Sequence, residues 1–283
     1  MDLRNYPRKE YSITQFTQAL CYELEGESFR FVMDSGYDYI LDIIDGENCL
    51  WCVEGEEPKS VAYQCLKGDD STYILSYEPK NCEKRTNHTF VIDREQGLVT
   101  FLRCVRGLNP KNAYMVESFF DFGYIHAEGE TPPFRRHAFN MDLMGSTVEW
   151  HWGTEMVTRH AYLEPAFYRL TWPDDSAAAQ DFAYMEGLPS SDEPARYIKI
   201  KKNMYLFVLT EKNSERYAKG SPFHSNNMAF LQNYDRMIHV GRSFGTMTMP
   251  DGKDKDVATM FGAFGNPVHI PEKFLTPENP FTV

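Results

Sequence analysis

Residues able to do acid/base or binding chemistry crowd into one stretch, His137 to Trp172 (HAFNMDLMGSTVEWHWGTEMVTRHAYLEPAFYRLTW). It holds three of the four tryptophans and three of the eight histidines. His160 and Tyr162 stand two positions apart, as do Tyr168, Leu170 and Trp172, and Val148, Trp150 and Trp152. Residues two apart share one face of a strand. If those faces point inward, they build an aromatic pocket with one imidazole and several phenols, the mostly apolar composition of a small-molecule site. The same aromatics could equally fill a barrel as packing. His160 suits a general base or acid near neutral pH, with Tyr162 as its proton-transfer partner, or a hydrogen-bonded structural histidine. Trp150, Tyr168 and Trp172 are the aromatic walls. His239 and Arg242, in MIHVGRSFG, could rim the same pocket. The guanidinium there would take a carboxylate bidentately or form an ordinary surface ion pair. His137, beside Arg135 and Arg136, would cap the mouth, and Glu149 and His151 fall on the face opposite Trp150.

Other chemistries find little material. The chain has 41 acidic against 29 basic residues, a formal charge of −12, where nucleic-acid binding needs a clustered positive surface. There is no phosphate-cradling glycine loop, no HExxH and no nucleophile elbow, so no metal and no cofactor are expected. Histidines distant in sequence could still meet inside a barrel. All six cysteines (21, 49, 52, 65, 82 and 104) lie in the first 104 residues. With no apolar leader segment they read as reduced, and the protein as cytoplasmic. No apolar run has transmembrane length, so no membrane contact is expected. Cys49 and Cys52 form a lone CxxC inside a strand-like run, which favours packing over redox or metal work.

The elements that must position these residues are short strands. From Glu27 onward the apolar period is two, with turn chemistry at Asp34-Ser35-Gly36, Asp45-Gly46, Gly68-Asp69-Asp70 and Gln96-Gly97. Seven or eight strands at such spacing predict a meander closing into a barrel. After Glu128-Gly-Glu-Thr-Pro-Pro the pattern restarts: Thr158 to Leu163 echoes Ser60 to Leu66, and Phe167 to Pro173 echoes Tyr73 to Pro79. An offset of roughly a hundred residues implies two whole barrels, since solenoid repeats are shorter. The expected fold is therefore all-β, two tandem antiparallel lipocalin-like barrels with few short helices. One helix is predicted near Ser12 to Leu20 and another at Asn227 to Arg236. Residues 1–110 would form the first barrel with its leading helix, 111–136 a connector and 137–245 the second barrel. Residues 173–194 would be a surface excursion and 246–283 an irregular tail.

The run from Arg136-His137 through HAYL and YRLTW, with HVGRSFG further on, resembles the molybdenum cofactor biosynthesis protein F family, over roughly 27–245. The resemblance implies tandem calycin barrels, and the family name implies a link to molybdopterin, although no pterin-handling motif is present. A thinner resemblance is to the bacterial phenolic acid decarboxylases: FRFVMDSGYDYIL is similar to their opening hairpin and YILSYEP to their Trp-Thr-Glu-Pro segment. That likeness implies a proton-transfer role for Glu78. Phe31 and Met33 stand where those enzymes carry carboxylate-binding tyrosines, and their catalytic Arg falls near Lys59.

These readings converge on a small aromatic or phenolic acid bound in the second barrel. Cofactor-free decarboxylation, hydration or isomerisation would run on His160 and Tyr162, with Arg242 or His239 holding the anionic group. The alternatives are a carrier or sensor without turnover, and a structural or partner-binding protein with both barrels filled. A homo-oligomer is compatible with each.

Overall fold

The computed structural model describes residues 13–173, 190–211, 223–248 and 252–271. Its elements are strands, and no helix occurs among the described residues. Consequently none there is long and apolar enough to cross a membrane. Two compact units separate, one of residues 19–113 and 117–138, the other built mainly from 139 onward with 114–116 and the N-terminal residues up to 18.

The first unit is a closed barrel of eight strands in simple sequence order: β1 (Ser28–Met33), β2 (Tyr39–Ile43), β3 (Asn48–Val53), β4 (Lys59–Lys67), β5 (Thr72–Tyr77), β6 (Thr86–Asp93), β7 (Leu98–Arg106) and β8 (Val116–Ile125). β1 closes the ring on β8, with Phe31 opposite Ile125. Its interior takes every second residue, among them Phe29, Phe31, Leu41, Tyr63, Leu75, Phe90 and Phe101. All six cysteines are unbridged.

A two-residue strand, β9 (Ala138–Phe139), precedes the second barrel. That barrel runs through β10 (Thr147–His151), β11 (Val157–Glu164), β12 (Phe167–Thr171), β13 (Ser190–Lys201), β14 (Met204–Glu211), β15 (Phe223–Asn233), β16 (Ile238–Thr248) and β17 (Asp254–His269). Each strand pairs antiparallel with the next, and β17 returns to β10 to close the ring. Tandem antiparallel eight-stranded barrels are thus the architecture, as the strand spacing predicted.

Several expected elements differ. The predicted helix near residues 12–20 is irregular chain from residue 13 on. Its backbone groups bond outward instead of four residues back: Phe16 N–H donates to Trp152 O, and Cys21 N–H to Cys65 O. The predicted helix at 227–236 is most of β15 and the turn after it. Met228 and Phe230 pack inward while Ala229 and Leu231, on the other face, are also buried. A strand buried on both sides reads as an unbroken apolar run, which periodicity cannot tell from a helix. The expected irregular tail from 246 contains β17, the longest strand; 249–251 and 272–283 lie outside the described residues, as does most of the 173–194 excursion. Likewise, the expected connector 111–136 contributes β8 to the first barrel.

Two glycines let side chains pack closely on β17. At Gly262 a Cβ would meet the Gln18 Oε1 at 2.3 Å, and at Gly265 it would meet the Trp150 ring at 2.8 Å. Side chains at both sites would push the wall away from what packs on it.

Candidate functional site: the interior of the second barrel

An eight-stranded barrel has an interior just wide enough to be filled by side chains or to hold one small ligand. Here the inward faces are Val148, Trp150 and Trp152; Thr158, His160 and Tyr162; Tyr168 and Leu170; Tyr197, Phe207 and Phe230; and Phe261 and Ala263. His239 belongs to the same wall, because it stands in register with Ala263 and Gln232. Its ring centroid lies 3.9 Å from Phe230, 4.5 Å from Trp150, 5.1 Å from Trp152 and 6.1 Å from His160. Two histidines 79 positions apart therefore meet in an aromatic enclosure.

Hydrogen bonds fix part of this wall. Trp152 Nε1–H donates to Thr158 Oγ1 at 2.9 Å, and that hydroxyl lies 3.1 Å from His160 Nε2. With one proton and two lone pairs, the Thr158 hydroxyl can accept from the indole and serve Nε2 in either tautomer of the His160 ring. Nδ1 is buried and has no protein partner. Trp150 Nε1–H and Gln232 Nε2–H donate to the Tyr162 oxygen, at 3.1 and 2.5 Å. Gln232 Oε1 and both ring nitrogens of His239 are also buried with no protein partner.

Burial dominates the electrostatics. It lowers His160 to about 3. It also holds His239 well below the ordinary histidine range, helped by the neighbouring His160. Burial pushes Tyr162 up, against the donors from Trp150 and Gln232 that favour its phenolate. At neutral pH the enclosure is therefore uncharged at these groups. It offers Nδ1 of His160, a donor and an acceptor from His239, and an acceptor from Gln232.

The other expected site residues fall elsewhere. Tyr168 lines the interior beside His160, with centroids 4.9 Å apart, and Trp172 packs on the core at its margin. Arg242 does not rim the interior. It is three positions from His239 on one strand, hence on the opposite face, and its Nη1 donates to the Asn227 carbonyl and Oδ1 at 3.0 and 2.7 Å. The expectation that it anchors an anion beside His239 fails on strand alternation. His137 is buried against the outward side of β7 in the first unit, 2.8 Å from Thr100 Oγ1 and 3.6 Å from an Asp93 carboxylate oxygen. Glu78 follows β5 of the first barrel and is held by both Nε and Nη2 of Arg85, at 2.8 and 2.7 Å. Neither joins the second-barrel wall. Glu149 points outward, paired with Arg159.

Sequence reasoning missed Gln232, Tyr234, Phe207 and Phe230, and also Glu193, which is buried on the inward face opposite Tyr168. The alternation Glu193, Ala195, Tyr197 carried that last signal, but the segment read as a surface excursion. Among the described residues no three His, Cys, Asp or Glu side chains gather as a metal-ligand group. No protein-family model matches the chain, and no curated protein does.

Proposed function

We propose that the second barrel binds a small uncharged phenol-like molecule, its ring among Trp150, Trp152, Phe207 and Phe230 and its hydroxyl against His160, His239 and Gln232. The observation that carries this reading is the cluster of buried, unpartnered polar atoms: His160 Nδ1, both nitrogens of His239 and Gln232 Oε1. Each such group costs about 1–3 kcal/mol when left unsatisfied, and native interiors pair nearly all of them. A hydroxyl both donates and accepts, so it complements this set. With Arg242 facing outward, no described cation backs the two imidazoles, and an isolated carboxylate would be costly to bury there. The reading therefore keeps the aromatic ligand and drops its anionic group. Six unbridged cysteines suit a reducing compartment, which we take to be the cytoplasm. The resemblance to the molybdenum cofactor biosynthesis protein F family remains our proposed kinship and supplies no ligand.

A thermal-shift titration with phenol tests the reading. Phenol is expected to raise the melting temperature saturably. Gln232→Leu is expected to weaken binding about tenfold, the scale of one lost hydrogen bond in a buried site. The reading fails if phenol, cresols and catechol all leave the melting temperature unchanged.

A second reading, acid/base turnover without a cofactor, draws on the donors gathered at Tyr162. Trp150 and Gln232 donate to that phenol oxygen, so a phenolate formed there by proton transfer to a ligand would be held by two hydrogen bonds. Mass analysis of incubations with uncharged vinylphenols should then show gain of water, abolished in Tyr162→Phe.

A further inference from the structure

The chain just before β1 stops one end of the first barrel. Leu24 is fully buried there, and Gly26 N–H donates to Ile43 O while Ile43 N–H donates to Glu27 O, at 2.9 and 2.8 Å. This stopper uses an edge that β3 leaves open. β3 pairs with β4 only as far as Ala62, so beyond that point the same side of β4 is bonded by other chain. Tyr63 N–H donates to Glu47 O, and Cys21 N–H donates to Cys65 O, both at 2.9 Å. Next to them Glu23 accepts from Lys67 Nζ at 2.5 Å and from the Tyr73 hydroxyl at 3.1 Å.

Two thiols meet at this junction. Cys65 follows Val61 and Tyr63 on the inward face of β4, and Cys21 joins the same core; they are 1% and 8% exposed. Neighbouring chains held by a backbone bond lie about 5 Å apart, inside the roughly 4.4–6.8 Å Cα span that a disulfide bridges. The Cys65 thiol has two acceptors, the Cys21 sulfur and the Leu66 carbonyl at 3.7 Å. Its hydrogen bond to Cys21 draws that thiol below its ordinary range against the opposing effect of burial, and raises Cys65 itself. The CxxC thiols behave in the opposite way. Burial pushes Cys49 up to about 12 and raises Cys52 as well, so both stay protonated and unreactive.

We propose that Cys21 and Cys65 are a peroxide-sensitive pair whose disulfide fastens the stopper to the barrel wall. The Cys21 thiolate attacks one oxygen of hydrogen peroxide. The O–O bond breaks, hydroxide leaves as water with the proton that Cys21 gave up, and Cys21 becomes a sulfenic acid. The Cys65 sulfur then attacks the Cys21 sulfur; the S–S bond forms as the S–O bond breaks, and the Cys65 proton leaves with that hydroxide as a second water. The thiols lose two electrons and the peroxide gains them. Cys21 is the more exposed of the two and meets the small oxidant first, while Cys65 resolves the intermediate from inside the core. The backbone already joins the two residues, so the bridge needs no change of strand pairing. It would close a loop that contains β1, β2 and β3, and such a cross-link removes entropy from the unfolded chain. Small thiols reopen it by exchange. The pair lies in the first barrel and does not rest on the phenol reading of the second.

The test treats the reduced full chain with a small excess of hydrogen peroxide at pH 7, alkylates the remaining thiols and digests with trypsin. Mass spectrometry should find peptide Glu10–Arg30 linked to peptide Ser60–Lys67, each of which carries one cysteine, while Cys49 and Cys52 are recovered alkylated. The linked protein should melt roughly 10 °C above the reduced form, and dithiothreitol should return it. In Cys65→Ala the sulfenic acid has no resolving thiol, so dimedone should trap it on Cys21. Peroxide that links Cys49 to Cys52, or Cys21 to any partner other than Cys65, overturns the proposal. So does a Cys21 that stays fully alkylatable after treatment of the parent protein. A Cys21–Cys65 link that leaves the melting temperature unchanged overturns the fastening role.

Discussion

His239→Leu separates a binding histidine from a structural one, because the two roles predict opposite signs. Both ring nitrogens of His239 are buried without a protein partner, at a cost of about 1–3 kcal/mol each. Leucine is apolar and near imidazole in volume, so it removes that cost. It also removes ring contacts with Phe230, Trp150 and Trp152, and aromatic pairs are worth about 0.5–1.5 kcal/mol beyond their area. Taken like for like, two nitrogens against three ring pairs, the difference leaves the ligand-free variant more stable by about 0.5–1.5 kcal/mol. For a unit of this size that is a rise of roughly 3 °C in melting temperature. The same variant should lose the added stabilisation that phenol gives the parent protein. Scanning calorimetry with and without saturating phenol measures both quantities at once. A fall in the ligand-free melting temperature, with the phenol shift retained, would mean that the imidazole is packed and satisfied in solution. The proposed site would then lose its centre. Gain of stability at the expense of binding is the usual trade at a functional position.

Two further outcomes follow from the interiors of the two barrels. His160 and His88 are each lowered to about 3, and His239 is lowered too, so below about pH 6.5 the unfolded chain binds protons that the folded chain refuses. Stability is therefore full above 6.5 and should fall by about 1.4 kcal/mol per pH unit per histidine as pH drops towards 3. Urea midpoints at pH 7, 6 and 5 read this slope, and a flat profile from 7 to 5 would contradict the burial of these rings. In Gly241→Ala the new Cβ would sit 1.9 Å from the Ala229 carbonyl oxygen and 2.7 Å from the Phe230 ring. It should destabilise the second barrel by about 3 kcal/mol or more, whereas Gly252→Ala, with nothing within 4 Å, should cost only its backbone strain; denaturant melts of the two variants decide.

Alternation was the part of the site that sequence made legible. Trp150 with Trp152, and His160 with Tyr162, follow a period of two in runs bounded by turn residues, and the structure turns those faces inward. Where alternation is masked, the reading broke down. β15 is apolar on both faces, so Gln232 was hidden inside a presumed helix. β17 contains glycines at 262 and 265 and a proline at 267, which resemble loop chemistry, yet the glycines are what permit Gln18 and Trp150 to pack on the strand. Arg242 is a different case: its chemistry suits a carboxylate, but the three-residue spacing from His239 forbids a shared strand face, and the guanidinium bonds to Asn227 instead.

The two barrels share a topology, but the chemistry of its interior decides what the second can hold. Consider a benzoic acid offered to the histidine wall of the second barrel at pH 7. Neutralising the acid, whose ordinary value is near 4, costs about 4 kcal/mol. Protonating His160 instead, from about 3, costs roughly 5 kcal/mol, less whatever the new ion pair returns. A phenol is already neutral and meets neither cost. The enclosure should therefore prefer a phenol to the matching acid by about a thousandfold, since each 1.4 kcal/mol is a factor of ten. The pH dependence of a benzoic acid's binding would report this cost: tighter in acid, as the carboxyl takes up its proton, until the imidazoles themselves charge.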